Sequence, residues 1–231
     1  MCYHNSLNTK PGELSKRYGL KSGSSPKISS ASHVSGFSFP TWPILTAQNP
    51  NPFLLGDWSL VLGWVQDSNS AEKLRFVTLN ARIETLQKKP SFIGALKKRH
   101  RWILPSTGFF EWQKVGNKIP YYIALKDVKI CSIAGLWDVW VDRETGSELI
   151  TFTIITGSAN PLMAKVYNQK ERMPAVLEPQ IERKWLDNRL PDINELLHPI
   201  QESLLTAYPI KSPLKAVNTD FDEITRRLDH S

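Results

Sequence analysis

The chain has 231 residues, with 29 Lys and Arg against 22 Asp and Glu, a formal net charge of +7. That length suits one large domain or two small ones and is enough to bury a substantial core. The only two cysteines, Cys2 and Cys131, lie far apart, which excludes a cysteine zinc pattern and a secreted disulfide framework; no run is apolar enough to span a bilayer, and the basic balance permits a polyanionic partner without demanding one.

The first residues lack the apolar core of a signal peptide, so a cytoplasmic protein in a reducing compartment is expected. Residues 9–20 predict a short helix: Thr9 can cap, Pro11 suits the first turn, and Leu14, Tyr18 and Leu20 fall on one side. The Ser-rich stretch 22–32 reads as a surface loop. Phe39 and Trp42 each precede a proline and should be extended. Strand-like runs follow at 58–65, 75–80, 101–105, 109–113, 120–125, 130–141 and 149–156, β-branched or aromatic and punctuated by turns. Residues 158–168 look helical with Ser158 as a cap, 172–177 form a short strand, and 178–190 and 192–197 form two further helices. There is no repeat and no linker. The pattern predicts an α+β fold, one domain over 1–231, of mostly antiparallel β-structure, barrel-like or in two sheets, with peripheral helices.

Four places stand out chemically. Cys2 follows a removable methionine. Once exposed, it carries an amine of pKa about 8 and a thiol of about 8.5 on adjacent carbons. Such a 1,2-aminothiol can condense with an aldehyde and close to a thiazolidine; the plainer alternative is a cysteine that happens to follow Met1. In NARIET (80–85), Asn80 donates and accepts, Arg82 is a donor fork suited to phosphate, and Glu84 can pair Arg82 on one strand face; a surface ion pair at a strand end reads equally well. In LPSTGFFEW (104–112), Gly108 marks a tight turn, and Glu111 between Phe110 and Trp112 is either partly buried, with a raised pKa, or turned outward while its neighbours pack. Arg172 precedes Met173 and Pro174 beside a turn, a setting usually without special meaning. Most of the eight tryptophans must be core.

Cys2, NARIET, PSTGFFEW and RMPAVL, in this order, together resemble the SRAP family (SOS response-associated peptidase, abasic-site processing). FTIITGSAN (152–160) is similar to the family's threonine-rich strand, and the likeness runs from Cys2 to about Val217. The resemblance implies that Cys2 links covalently to the opened aldehyde of an abasic site in single-stranded DNA. It implies that Asn80 orients the N-terminal residue, that Arg82 contacts phosphate and that Glu111 shuttles protons for imine formation and ring closure. Autoproteolytic removal of Met1, hydrolase and lyase chemistry and a basic DNA groove are implied with it; no metal or organic cofactor is required, and a monomer is expected.

The departures are specific. Tyr3 and His4 stand where the family has glycine and arginine, so His4, with Arg82 and Arg172, completes the expected DNA-contacting set. LGWVQ (62–66) keeps only Gly63 of the family's usual stretch. The family histidine before Arg-Met-Pro is absent. The helical register puts Tyr167 in its place, and counting back from Arg172 puts Lys170 there. Two other function classes stay open: a non-covalent single-stranded DNA-binding module, and an N-terminal-cysteine hydrolase acting on peptides.

Overall fold

The structure, a computed structural model, describes residues 2–21, 30–47, 53–187, 193–211 and 221–228. Its strands in chain order are β1 (His4–Leu7), β2 (Ala31–Ser35), β3 (Thr41–Thr46), β4 (Phe53–Trp58), β5 (Asn80–Arg82), β6 (Arg101–Ser106), β7 (Gly108–Val115), β8 (Asn117–Leu125), β9 (Cys131–Val141), β10 (Glu148–Ser158), β11 (Arg172–Pro174), β12 (Val176–Leu177) and β13 (Leu205–Pro209). The helices are α1 (Pro11–Arg17), α2 (Ser68–Val77), α3 (Ile83–Leu86), α4 (Pro90–Lys97), α5 (Pro161–Val166), α6 (Pro179–Leu186) and α7 (Phe221–Ile224).

Two sheets form. One is antiparallel throughout, in the order β13–β8–β7–β1–β2. In the other, β10–β4–β3–β6–β9 returns to β10 and closes a five-stranded barrel. Only the β10 pairings with β4 and β5 are parallel. Closure removes sheet edges that would otherwise need covering. This is the expected α+β, mostly antiparallel architecture. None of the described helices is long and apolar enough to cross a membrane.

The core explains the closure. Every residue of β6 is buried. Trp102 packs on Phe152 at 4.5 Å between ring centroids, inside the barrel. A Cβ on Gly135 would lie 2.3 Å from the Trp102 ring and 2.4 Å from the Thr153 carbonyl oxygen, so only glycine lets β9 pass that ring. Burying a side chain such as Phe152 contributes about 1.5–3 kcal/mol.

Several expectations need correction. Of residues 75–80, the first three belong to α2, because Asp67 caps it by accepting from the Ser70 amide at 2.8 Å and Ala71 packs inward, and only Asn80 is strand. Of 58–65 only Trp58 is strand. Val61 bonds both its amide and its carbonyl to the Thr151 hydroxyl, at 2.9 and 3.0 Å, instead of to a ladder. Of the expected loop 22–32, residues 22–29 lie outside the described residues and 31–32 begin β2. Asn160, not Ser158, caps α5, accepting from Met163 at 2.8 Å. In the expected helix 192–197, residue 192 lies outside the described residues and 193–197 are turn and coil; α6 ends at Leu186, and 188–190 are likewise outside. β1, β4, β13 and α4 carry too few residues or too little alternation to stand out alone. Gly108 opens β7 rather than making a turn: its missing side chain admits the Tyr122 hydroxyl, which a Cβ would meet at 2.4 Å.

The corner between β6 and β7 joins barrel to sheet and fixes β1. The Thr107 amide donates to the Ser6 carbonyl at 2.8 Å, and the Ser6 and Thr107 hydroxyls bond at 2.9 Å. β1 then runs antiparallel to β7 with His4 opposite Phe110. That register carries the start of the chain past Glu111.

Candidate active site

Side chains alternate along a strand, and directly paired residues share a face. His4 and Phe110 therefore lie on one face of the sheet, and Glu111 on the other. Glu111 faces the main core beside Tyr121, its partner across β8. It is 4% exposed, so it is not turned outward. Burial raises its pKa to about 8, against the pull of the positive chain amino terminus nearby.

Cys2 is fully buried just ahead of β1. Its thiol lies 3.7 Å from the His4 carbonyl oxygen. Burial first, then the neighbouring Glu111, pushes the thiol far up, while the amino terminus draws it down. Cys2 and Glu111 thus lie within electrostatic reach of each other.

Asn80 opens β5, which is held against β10 by pairing with Ile154. It is 8% exposed, and neither its side-chain nitrogen nor its oxygen has a hydrogen-bond partner among the described residues. An unsatisfied buried amide costs about 1–3 kcal/mol. Trp58 secures the preceding residue, its indole donating to the Leu79 carbonyl at 2.9 Å.

Arg82 ends β5 with its side chain exposed. Glu84 does not share a strand face with it, because the strand stops and α3 begins at Ile83. Glu84 instead accepts from both terminal nitrogens of Arg172, each at 3.0 Å. Arg172 also donates to the Thr156 carbonyl at 2.8 Å. Its fork is therefore engaged within the protein.

Tyr167 follows α5, with its amide donating to Met163 at 2.7 Å. Gln113 and Lys114 of β7 bond to Lys165 and Asn168, at 2.9 and 3.0 Å, and dock this end of α5 beside the Glu111 strand. The Tyr167 phenol is pushed up to about 12 by burial, then by Glu111 and Tyr3. Lys170 stands exposed in the turn beyond. Tyr167 is within electrostatic reach of Glu111.

His4 departs from expectation. Its ring lies 3.0 Å from His33, nitrogen to nitrogen, stacks on it at 5.1 Å and meets Trp112 edge-on at 4.6 Å. Burial, then His33, lowers its pKa to about 4. Its side chain lies on the face of the sheet opposite Glu111.

Tyr3, noted in the sequence only as a departure from the family's glycine, also lies at the site. Its ring packs on Phe37 at 4.7 Å. Its phenol is raised by burial, then by Glu111, while Arg82 lowers it and Cys2 raises it. Tyr3 thus lies within electrostatic reach of Glu111, Arg82 and Cys2. The β1–β7 register was its only signal, and the sequence alone does not supply that pairing.

The chain is similar to several known proteins. "Abasic site processing protein YoqW" of Bacillus subtilis (strain 168) is 36% identical over 172 residues, 72% of this chain and 73% of that protein. "Abasic site processing protein HMCES" of Xenopus tropicalis is 29% identical over 177 residues, 67% of this chain and 51% of that longer protein. A crystal structure of a Bacteroides thetaiotaomicron protein superposes with a TM-score of 0.91 at 40% identity, covering 98% of this chain and 100% of that one. The family model described as SOS response associated peptidase (SRAP) matches residues 1–218. With the family model matching residues 1–218 and a 36% identical relative covered over 73% of its length, the chain belongs to the SRAP family.

Proposed function

We propose that this protein processes abasic sites in single-stranded DNA, by forming a covalent thiazolidine crosslink through Cys2 after Met1 has been removed by the protein itself. The observation that carries the reading is the juxtaposition of buried Cys2 with buried Glu111.

Hydrolysis of the Met1–Cys2 amide consumes one water and frees the Cys2 amine. That amine attacks the aldehyde carbon of the ring-opened abasic sugar. The carbinolamine loses water to give an imine. The thiol then adds to the imine carbon, and its proton goes to nitrogen. The net change is aminothiol plus aldehyde to thiazolidine plus water, with no redox step. A carboxyl of pKa about 8 is mostly protonated at neutral pH. It can donate to the departing hydroxyl and recover the proton at the next step. The high thiol pKa fits this order, since the neutral amine acts first. Asn80 offers a donor and an acceptor to orient the Cys2 amine or the sugar, and Arg82 supplies an exposed fork for phosphate.

The test is incubation of processed protein with abasic single-stranded DNA, followed by denaturing electrophoresis without borohydride. Wild type should give a stable adduct. Cys2→Ser should give only a labile one. Equal stability of the two adducts would overturn the thiol's role.

A further inference from the structure

We propose that the cleft between α3, α4 and the start of β6 is a second phosphate-binding subsite, one that takes the backbone of single-stranded DNA beyond the segment held at Cys2. The proposal deepens the single-stranded DNA reading above and rests on it for the identity of the polymer.

The cleft has a volume of about 610 Å³ and is lined by Gln87, Ile93, Leu96, Lys97, Arg99 and Arg101, among others. Residues 86–101 contain Lys88, Lys89, Lys97, Lys98, Arg99 and Arg101 and no Asp or Glu. The fold then sorts these charges. Lys98 and His100 turn to Asp138, with the Lys98 ammonium 2.9 Å and the His100 ring 3.3 Å from its carboxylate. Lys97, Arg99 and Arg101, the intervening residues, line the cleft. Lys97 and Arg99 are exposed at its mouth, whereas Arg101 is 4% exposed at its base. The Arg101 guanidinium lies 5.0 Å from the centre of the Trp185 ring, an anchored donor rather than a mobile one.

This chemistry selects a phosphate. Guanidinium forks match its oxygens bidentately, and Gln87 adds a neutral donor. A polymer fits better than a free ion because the charge does not stop at the cleft. Lys88 and Lys89 are exposed at the end of α3. Gln87 caps the end of α3, the four-residue helix that begins directly after Arg82. A strand whose phosphate meets Arg82 would follow α3 toward Lys97 and Arg99.

The experiment measures binding of intact single-stranded oligonucleotides of increasing length, by anisotropy across a salt series. Wild type should gain affinity once the strand is long enough to reach the cleft. Lys97→Glu with Arg99→Glu should abolish that gain, about tenfold at low salt, and flatten the log–log salt slope by roughly 0.7 per lost phosphate. Lys97→Gln with Arg99→Gln, which only removes the charges, should give a smaller loss in the same direction at an unchanged melting temperature. An equal length gain in wild type and both variants would overturn the proposal. So would saturation of the cleft by inorganic phosphate alone, read as full protection against melting with nothing added by a long oligonucleotide. Adduct formation by wild type on a short abasic oligonucleotide is scored separately. Its absence beside an intact length gain would overturn the covalent reading and leave this subsite standing.

Discussion

Both carboxylate oxygens of Glu84 accept from the terminal nitrogens of Arg172 at 3.0 Å, although Arg82 is the arginine two residues away in sequence. The pairing joins α3 to β11 across the molecule. It occupies both Glu84 oxygens, while the Arg82 side chain stays exposed. Arg172→Ala should therefore weaken binding of intact single-stranded DNA, because Glu84 turns back on Arg82. Adding Glu84→Ala should restore it. A double variant as weak as the single one would show instead that Arg172 meets DNA itself.

Intact mass reports the first step. Protein expressed in cells should lack Met1, and Glu111→Gln should retain more of it. Full retention in soluble wild-type protein would leave Cys2 acylated and unable to form an imine. On pre-exposed Cys2, Glu111→Gln should slow crosslinking by about 10²–10⁴-fold.

Glu111 also sets a stability gradient. Its folded pKa of about 8 lies above the unfolded value of about 4.3. The folded state therefore binds the extra proton between these limits. The contribution is fully present below the unfolded pKa and is lost as pH rises through about 8. Glu111→Gln needs no proton to remain neutral. Its melting temperature should exceed that of wild type increasingly from pH 5 to pH 8. A constant gap would mean that the carboxyl ionises freely in the fold.

Release of the adduct addresses the missing histidine. Tyr167, pushed up to about 12, can donate a hydrogen bond at neutral pH but is a poor base. Crosslink formation should persist while release stays slow, and Tyr167→His should speed release. His4→Ala should leave release unchanged, since His4 bonds His33 on the opposite face from Glu111. A collapse of release in His4→Ala would require a route for its imidazole that the β1–β7 register does not offer.

Gly135→Ala tests the barrel. Its new methyl would sit 2.3 Å from the Trp102 ring and 2.4 Å from the Thr153 carbonyl. Overpacking of this kind costs about 1–3 kcal/mol or more. Chemical denaturation should show a lower midpoint, and a neutral result would mean that Trp102 has room to move.

The sequence by itself determined the residue types of the site and their order along the chain. Cys2, Asn80, Arg82 and Glu111 sit in short motifs whose meaning does not depend on what they touch. It also determined the mostly antiparallel α+β class, because the longest strands, β7 to β10, carry enough alternation and turn punctuation to be read locally. Only the tertiary structure decided which of these groups meet. Whether Glu111 points inward or outward is a matter of strand register, and a one-residue slip reverses it. That register is set by Ser6 and Thr107, 101 residues apart. Arg172 was captured by Glu84, 88 residues away, and His4 by His33 across β2. Helix and strand were confused at 75–80 because the capping Asp67 and the packing of Ala71 overrode local β-propensity. Each of these outcomes depends on contacts between distant parts of the chain, and a local pattern carries no record of them.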